Sequence, residues 1–455
     1  MIASMPRSQT PAVLLATAIL FLLTPAAAQW PDAGPSLTPQ ELARAWDAEH
    51  VSSPVSALVD HAEVVRRLND LEPDLFTVEQ IGQSVEGRSI HHVRAGTGPM
   101  PVLLWSQMHG DEPTATSALF DIFEYLHRHR DSPIVRGILD RLTLHVVPML
   151  NPDGAERFQR RNAQSIDINR DALRLQTPEG QVLKALRDRL KPEVGFNLHN
   201  QNWRTSVGDP PRPASMSLLS VAFDEKRSDS PGRRLTRKLG AVIRDAIEPF
   251  ASGQIGRYTD EFEVRAFGDN ITLWGTPVLL IETGPWPSVE QDPPLVRLNF
   301  VAIVTALDAL ATGSVDRADP RRYESLPLNE SRMFYVLVRN ATVINGAGVP
   351  PYTADIGLTA SRRVRTTDGR REVHIATTVD DMGDLRANAG LLRTIDASGL
   401  FAVPDTGYEE GALVDPPEWR TRGESTLAVG QPGRIALLRS AEGGRYRVEV
   451  VLRER

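Results

Sequence analysis

Between Pro101 and Ala311 the chain repeats one pattern, a short unbroken apolar run followed by a segment with helical spacing. The runs are PVLLWSQ from Pro101, LTLHVVPML from Leu142, EVGFNLH from Glu193 and PVLLIET from Pro277. They are strand-length and show little polar alternation. A strand that is apolar on both faces is covered on both faces, as in a mostly parallel sheet. Thr114 to His129, Glu179 to Leu190, Leu235 to Ile247 and Pro294 to Ala311 read as the covering helices, since their apolar residues recur three and four apart. The pattern predicts an α/β fold with a mixed, mostly parallel sheet flanked by helices. Upstream, Thr38-Pro39-Gln40-Glu41 reads as a capping box opening a short helix, and a second helix is expected from Ala57 to Leu71. FTVEQIGQ and RSIHHVRAG flank Ser84-Val85-Glu86-Gly87 as a hairpin.

The character changes on both sides of this region. Arg7, an apolar run from Pro11 to Leu23 and the small residues Ala26 to Ala28 form the pattern of a secretory signal over residues 1–28. The run is short for a membrane span, and no later stretch reads as long and apolar enough to cross a membrane. The expectation is an exported protein, periplasmic or secreted, with a catalytic domain over residues 29–315 and no span after signal removal. After Ala311, ATGSVDRADPRR reads as part of a linker, residues 316–332. Residues 333–455 read as a smaller, mainly β domain, from the runs MFYVLVRN, ATVIN, REVHIATTV, RIALLR and YRVEVVLRE. Nothing in the sequence indicates the oligomeric state.

Composition narrows the chemistry. The chain has no cysteine, which excludes disulfides, thiolate zinc sites and a thiol nucleophile. A net charge of −7 gives no support for nucleic-acid binding. No G-x-S-x-G and no H-E-x-x-H occurs, which disfavours a serine hydrolase and a zincin.

Among ten histidines, His109 in QMHGDEP has an acidic residue, Glu112, three positions on. The motif follows a buried strand and precedes a helix, where α/β proteins place their ligands. An imidazole and a carboxylate so spaced on a tight turn can reach one zinc ion, and a catalytic zinc takes a third protein ligand and leaves a place for water. His199 closes the strand EVGFNLH and can converge on the same point. His91, His92, His127, His129, His145 and His374 read as packed, structural histidines. NPDG at Asn151 to Gly154 and the Arg- and Asn-rich stretch from Arg160 to Asp171 suit a ligand ending in a carboxylate. Glu282 ends an apolar strand and has no packing reason to be there, so it is a candidate general base.

Taken in order, HGDEP, NPDG, R-x-N, DINR, NLH and IETG resemble the zinc carboxypeptidase family, the carboxypeptidase A-like metallopeptidases, over about Ala57 to Ala311. The resemblance implies one Zn2+ held by His109, Glu112 and His199, with Glu282 as the catalytic glutamate. It implies Asn169 and Arg170 as binders of the substrate's terminal carboxylate. Arg160, or its neighbour Arg161, stands for the arginine that polarises the scissile carbonyl. Asp167 stands for the carboxylate that orients His109. Tyr258 is either the family's mobile substrate-binding tyrosine or a loop residue. The implied function is a metallocarboxypeptidase removing the C-terminal residue of peptides with a free carboxylate. The same site could instead serve a cell-wall peptide amidase or carboxypeptidase, or an acylamino-acid deacylase of the aspartoacylase type. A non-catalytic binding protein on this scaffold is a further alternative. Val338 to Gly346 and Ala428 to Ala436 faintly resemble the composite β domain of metal-dependent amidohydrolases, without their barrel.

Overall fold

The apolar runs become adjacent strands at the centre of an eight-stranded sheet. The structure is a computed structural model and describes residues 38–345, 349–368, 370–415 and 426–453. The expected signal segment lies outside the described residues. The strands of the first region are β1 (Phe76–Gln83), β2 (Ser89–Ala95), β3 (Met100–Ser106), β4 (Leu142–Val147), β5 (Val194–Asn200), β6 (Ser206–Val207), β7 (Arg212–Pro213), β8 (Met216–Ser220), β9 (Ile255–Arg257) and β10 (Val278–Thr283). The sheet order is β1-β2-β4-β3-β5-β10-β8-β9, while β6 and β7 form a separate two-stranded sheet, with Ser206 of β6 also bridged to Glu330. Its centre, β4-β3-β5-β10, is parallel. β1, β2 and β8 join antiparallel, so the sheet is mixed.

The helices are α1 (Pro39–Glu49), α2 (His61–Asn69), α3 (Thr114–Arg128), α4 (Pro133–Arg141), α5 (Pro152–Arg157), α6 (Pro178–Leu190), α7 (Pro231–Ile247), α8 (Phe267–Leu273), α9 (Asp292–Thr312) and α10 (Arg321–Glu324). Period-2 alternation along the strands sends Leu104, Phe196, Leu198, Leu279 and Ile281 into a core shared with α1, α3, α7 and α9. Trp105, Val147 and Val278 point to the other face, where Leu183 of α6 and Phe267 and Ile271 of α8 cover them.

Two helical expectations change. Ala57 to Leu71 is not one helix but a 3₁₀ turn over Ser56–Leu58 and then α2. Asp60 separates them, because its carboxylate caps α2 by accepting from the Glu63 N–H at 2.9 Å. α9 is long and apolar enough to cross a membrane by length and composition, contrary to the expectation that no such stretch exists. In the fold, 83% of its most apolar window is buried, as in the core helix of an α/β protein.

Asp121 of α3 ties the N-terminal segment to this core. It is buried and accepts from Trp46 Nε1 at 2.7 Å and from the Val51 and Ser52 N–H groups at 2.9 and 2.8 Å. Asp121→Ala should leave these donors unmatched and cost about 2–4 kcal/mol, the range for stranding buried polar groups. Urea unfolding of parent and variant checks this; a change within about 0.5 kcal/mol would show that water replaces the carboxylate.

The C-terminal strands are β11 (Met333–Val343), β12 (Tyr352–Thr367), β13 (Arg370–Gly383), β14 (Ala389–Asp396), β15 (Phe401–Pro404), β16 (Leu413–Val414), β17 (Ile435–Ser440) and β18 (Tyr446–Leu452). They form a second sheet ordered β13-β12-β11-β15-β17-β18-β16, with β14 also on β11. Two runs read separately from the sequence, MFYVLVRN and ATVIN, fall largely in the single strand β11. A bulge between Val338 and Ala341, with Asn340 at φ 56°, accounts for the break in pattern. Trp203 of the first region packs against this sheet's core and stacks on Tyr335, ring centroids 5.2 Å apart. The stretch between the two sheets is itself packed: Tyr323 is buried, and its hydroxyl accepts from the Ser220 N–H at 2.9 Å.

Candidate metal centre and active site

The site forms where β3, β5 and β10 end. Past Ser106 the chain turns at Gln107, a non-glycine residue at φ 51°, a conformation that survives only when its surroundings enforce it. They do: the Gln107 amide donates to Gly110 O at 3.0 Å and its carbonyl accepts from Thr116 Oγ1 at 2.9 Å. Gly110 lies so close to Gly154 that a Cβ would sit 1.9 Å from that residue's carbonyl carbon. The NPDG motif is therefore a buttress. Asn151 caps α5 through the Gly154 N–H, and its amide donates to Met108 O at 3.3 Å.

This turn aims His109 and Glu112 at His199 on the end of β5. One ligand atom from each lies within 4.8 Å of the others, and all three residues are buried. His109 Nδ1 and His199 Nδ1 are 3.1 Å apart, and Glu112 reaches them through separate oxygens at 2.8 and 2.7 Å. Two imidazole nitrogens and a carboxylate converging out of water form a donor set that a cation satisfies. Zinc–ligand distances of about 2.0–2.2 Å give ligand–ligand edges of roughly 3.3 Å, close to the separations here. The far side of His109 is fixed as well: Nε2 meets Asp167 Oδ1 at 3.1 Å, which leaves Nδ1 for the centre.

Arg160 completes this group. Its Nε donates to Asp167 at 3.0 Å and its Nη1 to Glu112 at 3.3 Å. It lines the cleft, whereas Arg161 is exposed and donates to Ser165 O. Burial alone would raise the Asp167 carboxyl, but the hydrogen bond to His109 and the Arg160 charge hold it well below the usual range. Glu112 is likewise pulled down against its burial by the two histidines.

Glu282 sits beside His199 in the β5–β10 register, on the same face of the sheet. Its Oε2 is buried without a hydrogen-bond partner. Burial, with repulsion from Glu112, pushes its carboxyl up to about 8. A cation held by the three ligands opposes that shift.

The cleft, about 480 Å³, is lined by His109, Glu112, Arg160 and Glu282 and by Asn169, Arg170 and Tyr258. The side-chain oxygen of Asn169 accepts from the Phe267 N–H at 2.8 Å. Arg170 is partly exposed, donates to Asn169 O at 2.8 Å and lies 3.5 Å from Glu263, a loose pairing. Asp171 and Asp153 are engaged elsewhere, with Thr177 and with Ser84 and Arg88. Tyr258 points its hydroxyl to Gln201 Oε1 at 2.8 Å, and burial raises its pKa. Sequence reasoning missed Asn200, whose N–H donates to Glu112 at 3.1 Å. It also missed Gln201, Trp203 and Arg362, whose side-chain types carry no spacing signal. His92 and His145 stack on each other away from this cleft.

Comparison with known proteins places the region. Residues 61–250 match the family model "Zinc carboxypeptidase". The stretch contains His109, Glu112, Arg160, Asp167, Asn169, Arg170 and His199, and stops before Tyr258 and Glu282. Over that stretch the chain is similar to the zinc carboxypeptidase family. Carboxypeptidase E of Caenorhabditis elegans is 33% identical over 126 residues, 23% of this chain and 26% of that protein. Probable carboxypeptidase 2 of Arthroderma benhamiae is 29% identical over 161 residues, 35% of this chain and 28% of that protein. The chain therefore spans about a quarter of the length of these relatives. A metallo-carboxypeptidase structure from Burkholderia cenocepacia aligns with 55% of this chain and 69% of its own, at 20% identity and a TM-score of 0.43.

Proposed function

We propose that the protein is an exported zinc metallocarboxypeptidase, periplasmic or secreted, that binds one zinc ion and removes the C-terminal residue of peptides. The observation that carries the reading is the unpartnered Glu282 Oε2 in the cleft that His109 and Glu112 also line, with Glu282 beside His199 of the same cluster in the β5–β10 register. A zinc ion on those three supplies Lewis acidity, lowering the pKa of water toward 7 and polarising the scissile carbonyl. Glu282 takes the proton of the attacking water and passes it to the leaving amine. Arg160 donates to the oxyanion that develops. Asn169 and Arg170 hold the terminal carboxylate, so that the last peptide bond is the one presented. The family match and the carboxypeptidase relatives favour this reading over a cell-wall amidase or an acylamino-acid deacylase.

The experiment is metal-loaded protein offered a peptide library and cell-wall fragments, with products read by mass. Loss of single C-terminal residues is expected. Internal cuts, or deacylation alone, would contradict the proposal. Arg170 supplies a sharper prediction. A fully buried charge pair costs about 2–5 kcal/mol when one side is truncated. Arg170 is partly exposed and loosely held by Glu263, so the lower end applies. Arg170→Ala should weaken kcat/KM for free-acid peptides by about 2 kcal/mol, roughly 30-fold. An unchanged value would place the carboxylate elsewhere.

A further inference from the structure

Ala360, Ser361 and Arg362, from β12 of the second sheet, line the same cleft as His109, Glu112 and Glu282. β12 pairs with β11 only from Tyr352 to Leu358, whereas β13 follows it from Asp355 to Thr367. β13 also bonds residues 430–433 from Thr377 to Val379, opposite Leu358 to Ala360, so beyond Ala360 the hairpin leaves its sheet as a two-stranded arm. Such a ribbon is marginal in water by itself and needs something to pack on. Here the other sheet's region braces it at two points. Arg362 Nη2 lies 2.6 Å from Asp292 Oδ1 at the start of α9, and its guanidinium is 5.5 Å from the Trp203 ring. Asp292 is 3% exposed, and its second oxygen accepts from the Ser56 N–H at 2.8 Å. Further along the arm, the Arg371 side chain is 9% exposed and donates to Glu156 O and Ala155 O at 3.1 and 3.2 Å. Guanidinium groups are costly to bury unless paired, and both pairings hold the arm in place over the cleft.

The arm and the carboxylate anchor enter from opposite layers. Asn169 reaches the cleft from the side of α8, through Phe267. Arg362 braces on α9, in the layer on the other face of the sheet. A peptide whose terminal carboxylate is at Arg170, and whose scissile bond lies between the metal cluster and Glu282, must send its N-terminal part toward the arm.

We infer that the β12–β13 arm is a length gate that restricts this enzyme to short peptides, with Arg362 and Arg371 as the residues that position it. The inference rests on the carboxypeptidase reading. A cleft of about 480 Å³ is in the range that holds a drug-sized ligand, here roughly two to four residues.

The test uses full-length, zinc-loaded protein and free-acid peptides of increasing length that share one C-terminal dipeptide. In the parent, kcat/KM should fall at least about tenfold between tetrapeptide and decapeptide. Arg362→Ala and Arg371→Ala should each narrow that ratio at least about threefold, mainly by lowering KM for the decapeptide, and Arg371→Ala should change the tripeptide value less than about twofold. Arg371 does not line the cleft, so its effect on the ratio reports the arm's position and not a lost substrate contact. Equal rates on tetrapeptide and decapeptide in the parent would overturn the gate while leaving the carboxypeptidase reading standing. So would arm variants that alter all lengths alike. No cleavage at any length would overturn the carboxypeptidase reading and the gate with it.

Discussion

Glu282→Gln should lower turnover by about 10²–10⁴ while leaving bound zinc unchanged, the usual worth of a positioned acid–base group. Glutamine keeps the shape of the side chain and fills the same space at the end of β10, so the β5–β10 register and the adjacent His199 should be undisturbed. What it loses is the ability to accept a proton. The buried Glu282 Oε2, which has no hydrogen-bond partner, is the atom to which the role is assigned. Steady-state kinetics on one free-acid peptide, with metal content measured on the same samples, checks this. Turnover within threefold of the parent at equal zinc content would mean that another group moves the proton.

The second large effect is on the metal. His199→Ala removes one of three donors, and it should weaken zinc binding by more than about 100-fold, since even losing a residue that only orients a ligand costs about 10–100-fold. The parent should gain thermal stability on zinc addition, because a ligand that binds only the folded state stabilises it by mass action. The variant should show little such shift at the same zinc concentration. The small alanine vacates a buried position beside His109, so the variant's melting curve without zinc must be recorded too. An undiminished zinc-dependent rise in melting temperature, with full metal content, would remove His199 from the site.

The centre of the fold was legible because its strands are buried on both faces. β5 is buried from Val194 to His199, and such strands can only be written as apolar runs. That background made His199 and Glu282 conspicuous, as polar residues at the ends of strands that had no use for them in packing. The hairpin of β1 and β2 was legible through its turn residues, and the first helix through Thr38 and Glu41, which do close a capping box. The short strands β6, β7 and β9 were missed, being only two or three residues long. β12 was missed along its whole length, its outer half for another reason. Its residues from Ser361 to Thr367 are half-buried or exposed on both faces, so neither an apolar run nor a clean alternation marks them. The consequence is specific. The candidate metal ligands could be named from local motifs, whereas the wall formed by Ser361 and Arg362 comes from a segment distant in the chain with no motif of its own. The choice between Arg160 and Arg161 also lay beyond spacing, since the turn that points one inward and the other outward is set by the Arg160–Asp167 pairing.

The most direct measurement of the central claim compares one peptide as its free acid and as its C-terminal amide, each offered to zinc-loaded and to chelator-stripped protein. The account predicts that only the zinc-loaded protein is active, that it releases the terminal residue of the free acid, and that the amide is cut far more slowly. Equal cleavage of the two peptides, or cleavage that survives complete removal of the metal, would contradict it.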